Sequence, residues 1–205
     1  MDRVTDSLAF NRRGIIGLLL LLPISAVLSF SKPLIVEDSF LDLAMDGLAW
    51  ILFYIYVTFR LWATLYVGGR KNIELQTEGP YSITRNPLYL GSLCFALSMA
   101  CFLKSVSLLL TILLIWIFYS KGVINAEEEY LARKFPEIFN RYRQETPRLL
   151  PIPSRYRNGS SIKVDLNALK FEAKRLWAAG LLPISAELLM HLRMAPWWPH
   201  WFWLP

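Results

Sequence analysis

The sequence predicts an all-α, polytopic membrane protein with four core transmembrane helices and a further C-terminal helix. Three observations support this prediction. Hydrophobic residues make up 55% of the 205 residues, more than an ordinary soluble domain of this size contains. They are concentrated in uncharged runs close to the roughly 17–25 residues that a helix needs to cross a bilayer. Lys and Arg stand mainly beside these runs.

Four apolar segments are the predicted spans. The second reaches transmembrane length only if it continues through Arg60. The third and fourth are separated only by Lys104 and its neighbours, which predicts a tight antiparallel hairpin. The alternative for the first run is a cleaved signal peptide, but the run is longer than a signal core and shows no persuasive cleavage site. The spans are predicted at about 14–30, 44–67, 87–103 and 105–124.

The distribution of Lys and Arg predicts an orientation. Basic residues precede the first span, occupy the connection between the second and third, and are frequent over 121–157. The two opposite connections carry one lysine each, Lys32 and Lys104. The positive-inside rule therefore places the N-terminus, the 68–86 loop and the C-terminal region in the cytoplasm. We attribute the net charge of +6 to this orientation and to anionic headgroups, and expect no nucleic-acid partner.

The chain after the fourth span is predicted to form cytoplasmic helices over 124–145, interrupted at Pro136, and to complete a core domain of residues 1–153. Residues 154–205 are predicted to form a linker, a helix over 176–192 and a Trp-rich tail. This helix either lies at the membrane interface or forms a fifth span. No metal site is predicted.

The segment GPYSITRNPLYLG (79–91) is more elaborate than a simple loop requires. Asn86 suits a helix N-cap and Pro87 the first helical position, so the third span is predicted to begin here. The N–H groups and positive dipole end of that helix would then lie beside Arg85 and Tyr89, an arrangement suited to a carboxylate or phosphate. The plainer alternative is a capped transmembrane helix with an interfacial arginine.

Two charged residues lie where a charge is costly. Arg60 interrupts the second span, so it is expected to face a protein interior or cavity unless its side chain reaches the headgroups. Glu127 shares a predicted helix face with apolar residues and needs a cationic or hydrogen-bonding partner. Arg60, Arg85 or a bound ligand could provide that partner.

Two stretches together resemble the isoprenylcysteine carboxyl methyltransferase and phospholipid methyltransferase family. They are FRLWATLYVGGRKNIELQTEGPYSITRNPLYLGS (59–92) and AEEEYLARKFPEIFNRYRQETPRLLP (126–151). The family pattern is Arg-His/Asn-Pro-x-Tyr-x-Gly, followed by Glu-Glu-x-x-Leu and an aromatic-rich helix. The resemblance covers about residues 45–151 and is identified as that of a broad bacterial-type member.

The resemblance implies an integral membrane methyltransferase of the bacterial inner membrane that uses S-adenosylmethionine and takes a lipophilic acceptor from the bilayer. It implies catalytic roles for Arg60, near the acceptor, and for Glu127. The implied cofactor-binding residues are Gln76, Gly79, Tyr81, Arg85, Asn86, Tyr89, Leu90, Gly91, Glu127 and Glu128.

The sequence does not identify the methyl acceptor. Asn86 stands where the eukaryotic isoprenylcysteine enzymes have histidine, and Pro136 where the family usually has glycine, which weakens the case for a prenylated cysteine. A prenyl-type carboxylate is favoured because Arg60 offers a cation. The alternatives are N-methylation of a phospholipid amine and a non-enzymatic scaffold with an idle pocket. The oligomeric state is not predicted.

Overall fold

The regular structure of this protein is helical throughout the part that the structure covers. The structure is a computed structural model that describes residues 23–32, 35, 38–68, 73–159 and 164–202. Within these ranges the only bridge between extended residues joins Ser31 and Phe202. The all-α prediction is thereby confirmed.

Eight α-helices can be followed in chain order among the described residues. The residues of the first predicted span that precede residue 23 lie outside the described ranges, and 23–29 are helical (α1). A π-helical turn, Ser120–Ile124, joins α5 to α6, and a short 3₁₀ turn, Pro153–Arg155, follows α7. The remaining helices are α2 (Phe40–Val67), α3 (Pro80–Ile83), α4 (Pro87–Phe102), α5 (Val106–Tyr119), α6 (Asn125–Lys134), α7 (Pro136–Glu145) and α8 (Leu166–Met194).

Two of the described helices are long and apolar enough to cross a membrane. They are α2, with 28 residues, and the continuous helix Val106–Lys134, with 29. Only 22% of each apolar window is buried within the chain, so these are not the enclosed core helices of a globular domain. The third predicted span, α4, has 16 residues, just short of the roughly 17–25 usual for a span. Within the described residues, the structure therefore supports two membrane-crossing helices. The sequence predicted four spans, and most of the first lies outside the described residues.

The chain divides into two compact units, which are treated separately below. As far as it is described, the first unit comprises the residues up to Trp50, Leu97–Tyr130 and the residues from Leu182 onward. The second unit comprises Ile51–Ala96 and Leu131–Leu181. The divisions fall within α2, α4, α6 and α8.

In the first unit, the connection between α4 and α5 is a tight turn around Lys104. Lys104 has φ of 48°, and its N–H donates to the carbonyl of Cys101 (3.0 Å), while Ser105 N–H donates to that of Ala100 (3.2 Å). This is the Schellman arrangement, in which glycine is the usual residue at the left-handed position. Ser105 then caps α5, because its Oγ accepts from Leu108 N–H (3.2 Å).

The ion pairs of the Lys104 side chain explain why a lysine occupies a position where glycine is usual. Its Nζ lies 2.8 Å from a carboxylate oxygen of Asp42 and 2.8 Å from one of Asp46, and the side chain is 4% exposed. Burial by itself would lower the pKa of Lys104, but hydrogen bonds to Asp42 and Asp46 outweigh it and raise the pKa above its ordinary value. The ammonium group therefore stays charged and ties the turn to the start of α2.

The C-terminal helix α8 has apolar residues on two sides. Its outward side exposes large side chains, among them Trp177, Ile184 and Leu188. A helix that is apolar on both sides is typical of one that contacts lipid or is enclosed. The buried residues recur at alternating steps of four and three: Glu172, Leu176, Ala179, Pro183, Ala186, Met190 and Arg193.

Candidate functional site

The segment 79–91 begins at a glycine that no other residue could replace without strain. Gly79 has φ of 59° and ψ of −128°, and a Cβ atom there would overlap the ring of Tyr66. Its N–H donates to Arg157 O (2.8 Å), and its carbonyl accepts from Ser82 Oγ (2.7 Å). The chain can therefore turn directly from Gly79 into the buried helix α3.

Three contacts from α7 and the region after it hold the buried helix α3 and the residue that follows it in place. The hydroxyl of Tyr142 donates to the carbonyl of Tyr81 (2.7 Å). Ile152 N–H donates to Ile83 O (3.0 Å), and Thr84 Oγ1 donates to the carbonyl of Leu149 (3.0 Å). These contacts lie within the second unit and fix the entry into α4.

Arg85 has a structural role that sequence reasoning missed. Its Nη1 donates to the carbonyls of Arg143 (2.9 Å) and Thr146 (2.7 Å), which lie at the C-terminal end of α7. A guanidinium there neutralises the last carbonyls and the negative dipole end of the helix. Arg85 as a whole is half-buried, and these contacts fix the position of its charge.

Asn86 and Tyr89 lie at the start of α4, where the sequence predicted a helix N-terminus. Asn86 is buried, its Nδ2 donates to Arg148 O (3.0 Å), and its carbonyl accepts from the N–H of Leu90 (3.0 Å). Tyr89 is half-buried on the first turn, whereas Leu90 is buried. Gln76 is half-buried in the irregular stretch before Gly79.

Arg60 lies against Gly91 and is paired with a carboxylate. A Cβ on Gly91 would approach Cγ of Arg60 to 3.3 Å, so the glycine lets α4 pack against the arginine stem. Nε and Nη2 of Arg60 donate to the two carboxylate oxygens of Glu172 on α8, at 2.6 and 2.8 Å. The sequence predicted that Arg60 would face the protein interior, but gave no indication of Glu172 as its partner.

Glu127 and Glu128 belong to the first unit, whereas Arg60 and Arg85 belong to the second. Both glutamates are half-buried in the first turn of α6, directly after the π-helical turn Ser120–Ile124. Such turns are rare and occur often at functional sites. Sequence reasoning missed the turn, although Gly122 within an otherwise continuous helix was a signal of irregularity.

A surface carboxylate, Glu145, ties the end of α7 to the segment after it. Its Oε1 accepts from Arg141 Nε (3.0 Å) and its Oε2 from Arg157 Nη1 (3.0 Å), while its carbonyl accepts from Arg155. The hydrogen bond from Arg157, followed by that from Arg141, lowers the pKa of Glu145 below its ordinary value of 4.5. The contacts of Glu145 with Arg155 and Arg157 thus hold residues 153–159 to the end of α7.

Acid is expected to loosen this segment. Because the pKa of Glu145 is depressed in the folded state, its stabilising contribution is complete above pH 4.5 and is lost as pH falls through the lowered value. Amide hydrogen exchange of residues 153–159, corrected for intrinsic rates, should accelerate between pH 6 and pH 3. In Glu145→Gln the exchange should already be faster at pH 6 and should change less with pH. An equal pH dependence in both proteins would contradict this assignment.

Comparison with known proteins identifies similar sequences. The described residues form a helical protein with two helices long and apolar enough to cross a membrane. Residues 40–138 match the model of the phospholipid methyltransferase family, which confirms the resemblance seen in the sequence. The matched segment carries α2, α4 and both glutamates.

Three curated proteins are similar to this chain. The nickel-cobalt-cadmium resistance protein NccN of Alcaligenes xylosoxydans xylosoxydans is 33% identical over 140 residues, 67% of this chain and 65% of that protein. The cobalt-zinc-cadmium resistance protein CzcN of Cupriavidus metallidurans is 37% identical over 123 residues, 60% of this chain and 56% of that protein. The protein-S-isoprenylcysteine O-methyltransferase of Schizosaccharomyces pombe is 37% identical over 89 residues, 42% of this chain and 37% of that protein.

The chain therefore spans less than two thirds of the length of each of these relatives. No solved structure gives a significant match. Glu172, the partner of Arg60, lies beyond the segment that the family model matches.

Proposed function

We propose that this chain is an integral membrane methyltransferase that transfers a methyl group from S-adenosylmethionine to a lipophilic acceptor reached from the bilayer. The observation that supports the proposal best is the segment Arg-Asn-Pro-Leu-Tyr-Leu-Gly (85–91), which lies within the matched family segment. The end of α7 and the region after it hold Arg85 and Asn86 of this segment in place, which favours a binding role over an ordinary loop.

The residues around Arg85 are compatible with the cofactor. Arg85, a half-buried residue, carries a positive charge suited to a carboxylate. Beside it, the Oγ1 of Thr146 is buried without a hydrogen-bond partner, although buried polar atoms normally have one. Arg85 and Thr146 would therefore hold the amino-acid end of the cofactor.

The chemistry requires little acid–base catalysis from the chain. S-adenosylmethionine, when bound, supplies a methyl group that its sulfonium already activates toward a nucleophile. The task of the chain is then to position the acceptor and to exclude water. The N-terminus, the 68–86 loop and the cofactor site are proposed to face the cytoplasm, in keeping with the positive-inside distribution.

Replacing Glu127 by glutamine tests the proposal. The resemblance assigns this carboxylate to the cofactor, and a hydrogen bond to a charged group contributes about 1.5–3 kcal/mol, so affinity should fall about tenfold or more. The measurement is transfer of labelled methyl groups to a membrane lipid extract, at S-adenosylmethionine concentrations below saturation. Glu129→Gln is the matched control, because it makes the same change at an exposed neighbour and should leave transfer unchanged.

The outcomes separate the candidate functions. Selective loss in Glu127→Gln supports the methyltransferase. Equal methyl transfer by Glu127→Gln and Glu129→Gln would show that Glu127 is not part of the cofactor site. Absence of transfer and of cofactor binding in folded wild-type protein would favour the non-enzymatic scaffold.

The two bacterial relatives favour a compatible second proposal, that methylation by this chain serves resistance to divalent metal cations. Both carry such resistance in their names. In the described residues no group of three or more Cys, His, Asp or Glu side chains is arranged to hold a metal ion. In a cadmium-sensitive bacterial host, wild type and Glu129→Gln should improve growth on cadmium and Glu127→Gln should not. Equal protection by wild type, Glu129→Gln and Glu127→Gln would show that resistance does not depend on methylation.

A further inference from the structure

The ion pair between Arg60 and Glu172 is bidentate and largely buried. The carboxylate of Glu172 accepts from Nε and Nη2, the geometry in which arginine normally grips a carboxylate ligand. The side chains of Arg60 and Glu172 are 12% and 6% exposed. The edge of Arg60 that would bind an acceptor carboxylate is therefore occupied by a residue of the chain itself.

Packing fixes both partners. Gly91 contacts the stem of Arg60 on one side. On α8, Leu176 and Ala179 lie one and two turns after Glu172 and are buried in a core cluster with Phe53 and Tyr56 of α2. This cluster anchors the helix that carries Glu172, so the carboxylate is held at the arginine by the core of the second unit.

The pair changes the electrostatics expected of an acceptor site. A carboxylate acceptor needs a cation whose N–H donors are available. The sequence analysis favoured a carboxylate acceptor because Arg60 could provide that cation. Glu172 neutralises that cation in a poorly hydrated environment, where an added anion would meet the charge of Glu172 at short range. A second cation, Arg175, lies 3.7 Å from Glu172 but is 56% exposed and hence screened by solvent.

Building on the proposed function, we propose that Glu172 is a specificity-determining residue. By filling the carboxylate-binding edge of Arg60, it excludes anionic acceptors and restricts transfer to nucleophiles without negative charge, such as a neutral lipid amine. In that reaction the nitrogen lone pair forms the N–CH₃ bond as the S–CH₃ bond of the sulfonium breaks. The resulting ammonium then releases a proton to water.

The test is whether removal of Glu172 creates a carboxylate site. Purified wild type, Glu172→Ala and the shape-conserving Glu172→Gln are titrated in detergent with dodecanoate, with uncharged dodecanamide as the matched probe. Binding is followed by the shift of the thermal unfolding midpoint. Dodecanoate should bind Glu172→Ala at least about tenfold more tightly than wild type, since the exposed guanidinium forms a charge-assisted bidentate contact. Glu172→Gln should show a smaller gain, and it supplies the measurement if Glu172→Ala does not fold.

Two controls remove other sources of anion binding. The double variant Arg60→Met/Glu172→Ala should lose the gain, because the guanidinium is absent. Glu145→Gln should show no gain, although it also removes a carboxylate that lies between two arginines. Equal dodecanoate affinity in wild type and Glu172→Ala, or a gain that persists without Arg60, would overturn the proposal.

An activity arm separates this inference from the proposed function. Wild type should methylate dodecylamine and not dodecanoate, and Glu172→Ala should acquire dodecanoate methylation. If no variant transfers methyl groups or binds S-adenosylmethionine while the dodecanoate gain appears, the methyltransferase proposal fails and the carboxylate-blocking role of Glu172 stands. If wild type methylates dodecanoate, the specificity role of Glu172 is wrong and the methyltransferase proposal stands.

Discussion

Lys104→Met is expected to destabilise the protein by about 3–5 kcal/mol, the usual cost of removing one partner from a buried ion pair. The ammonium lies 2.8 Å from both Asp42 and Asp46, and Asp42 is 8% exposed. Methionine preserves the apolar stem but leaves two acidic side chains without their cation. The unfolding midpoint in detergent should fall accordingly.

The backbone at Lys104 provides a graded control. Its φ of 48° costs a side chain about 1–2 kcal/mol, which glycine does not incur. Lys104→Gly should therefore be less destabilised than Lys104→Met, although both lose the ion pairs. Lys104→Met combined with Asp42→Asn and Asp46→Asn should recover much of the loss. Wild-type stability in Lys104→Met would show that the turn does not depend on these charges.

Gly79→Ala is expected to disrupt the segment that carries Arg85 and Asn86. The positive φ costs alanine about 1–3 kcal/mol, and its Cβ would also overlap the Tyr66 ring. The segment cannot relax outward freely, because its N–H and carbonyl are both bonded to the surrounding chain. Protease cleavage within 73–86 should accelerate, and cofactor binding should weaken.

Gly122→Ala is the matched control for this substitution. Nothing lies within 4 Å of a Cβ at Gly122, which is in the π-helical turn, so the change should be neutral or stabilising by up to about 1 kcal/mol. If Gly79→Ala behaved like Gly122→Ala, the requirement for glycine at the start of the segment would be refuted.

Local signals predicted the helix boundaries well. Pro87 and Pro136 begin α4 and α7, because proline suits the first helical position and cannot continue a preceding helix. The start of α8 was predicted too late, at residue 176, although a signal for it was present. The carboxylate of Asp165 accepts from the N–H groups of Asn167 (2.8 Å) and Ala168 (3.2 Å), so it caps a helix that begins at Leu166, ten residues earlier.

Contacts between residues far apart in the chain could not be predicted from the sequence. The cost of a charge within a span assigned Arg60 to the protein interior, but it cannot show which of many carboxylates lies opposite, and Glu172 is 112 positions away. Arg85 was predicted to meet an anion, and its contacts with Arg143 and Thr146 depend on the return of α7 to the same place. The candidate residues could thus be named from the sequence, but their partners required the fold.

Cofactor binding is the most direct test of the account. S-adenosylmethionine and its demethylated product should be titrated by calorimetry into detergent-purified wild type, Glu127→Ala and Glu129→Ala. The methyltransferase proposal expects saturable binding by wild type and by Glu129→Ala, and a loss of at least about tenfold in Glu127→Ala. Wild-type protein that is folded by its unfolding transition and binds neither compound would contradict it.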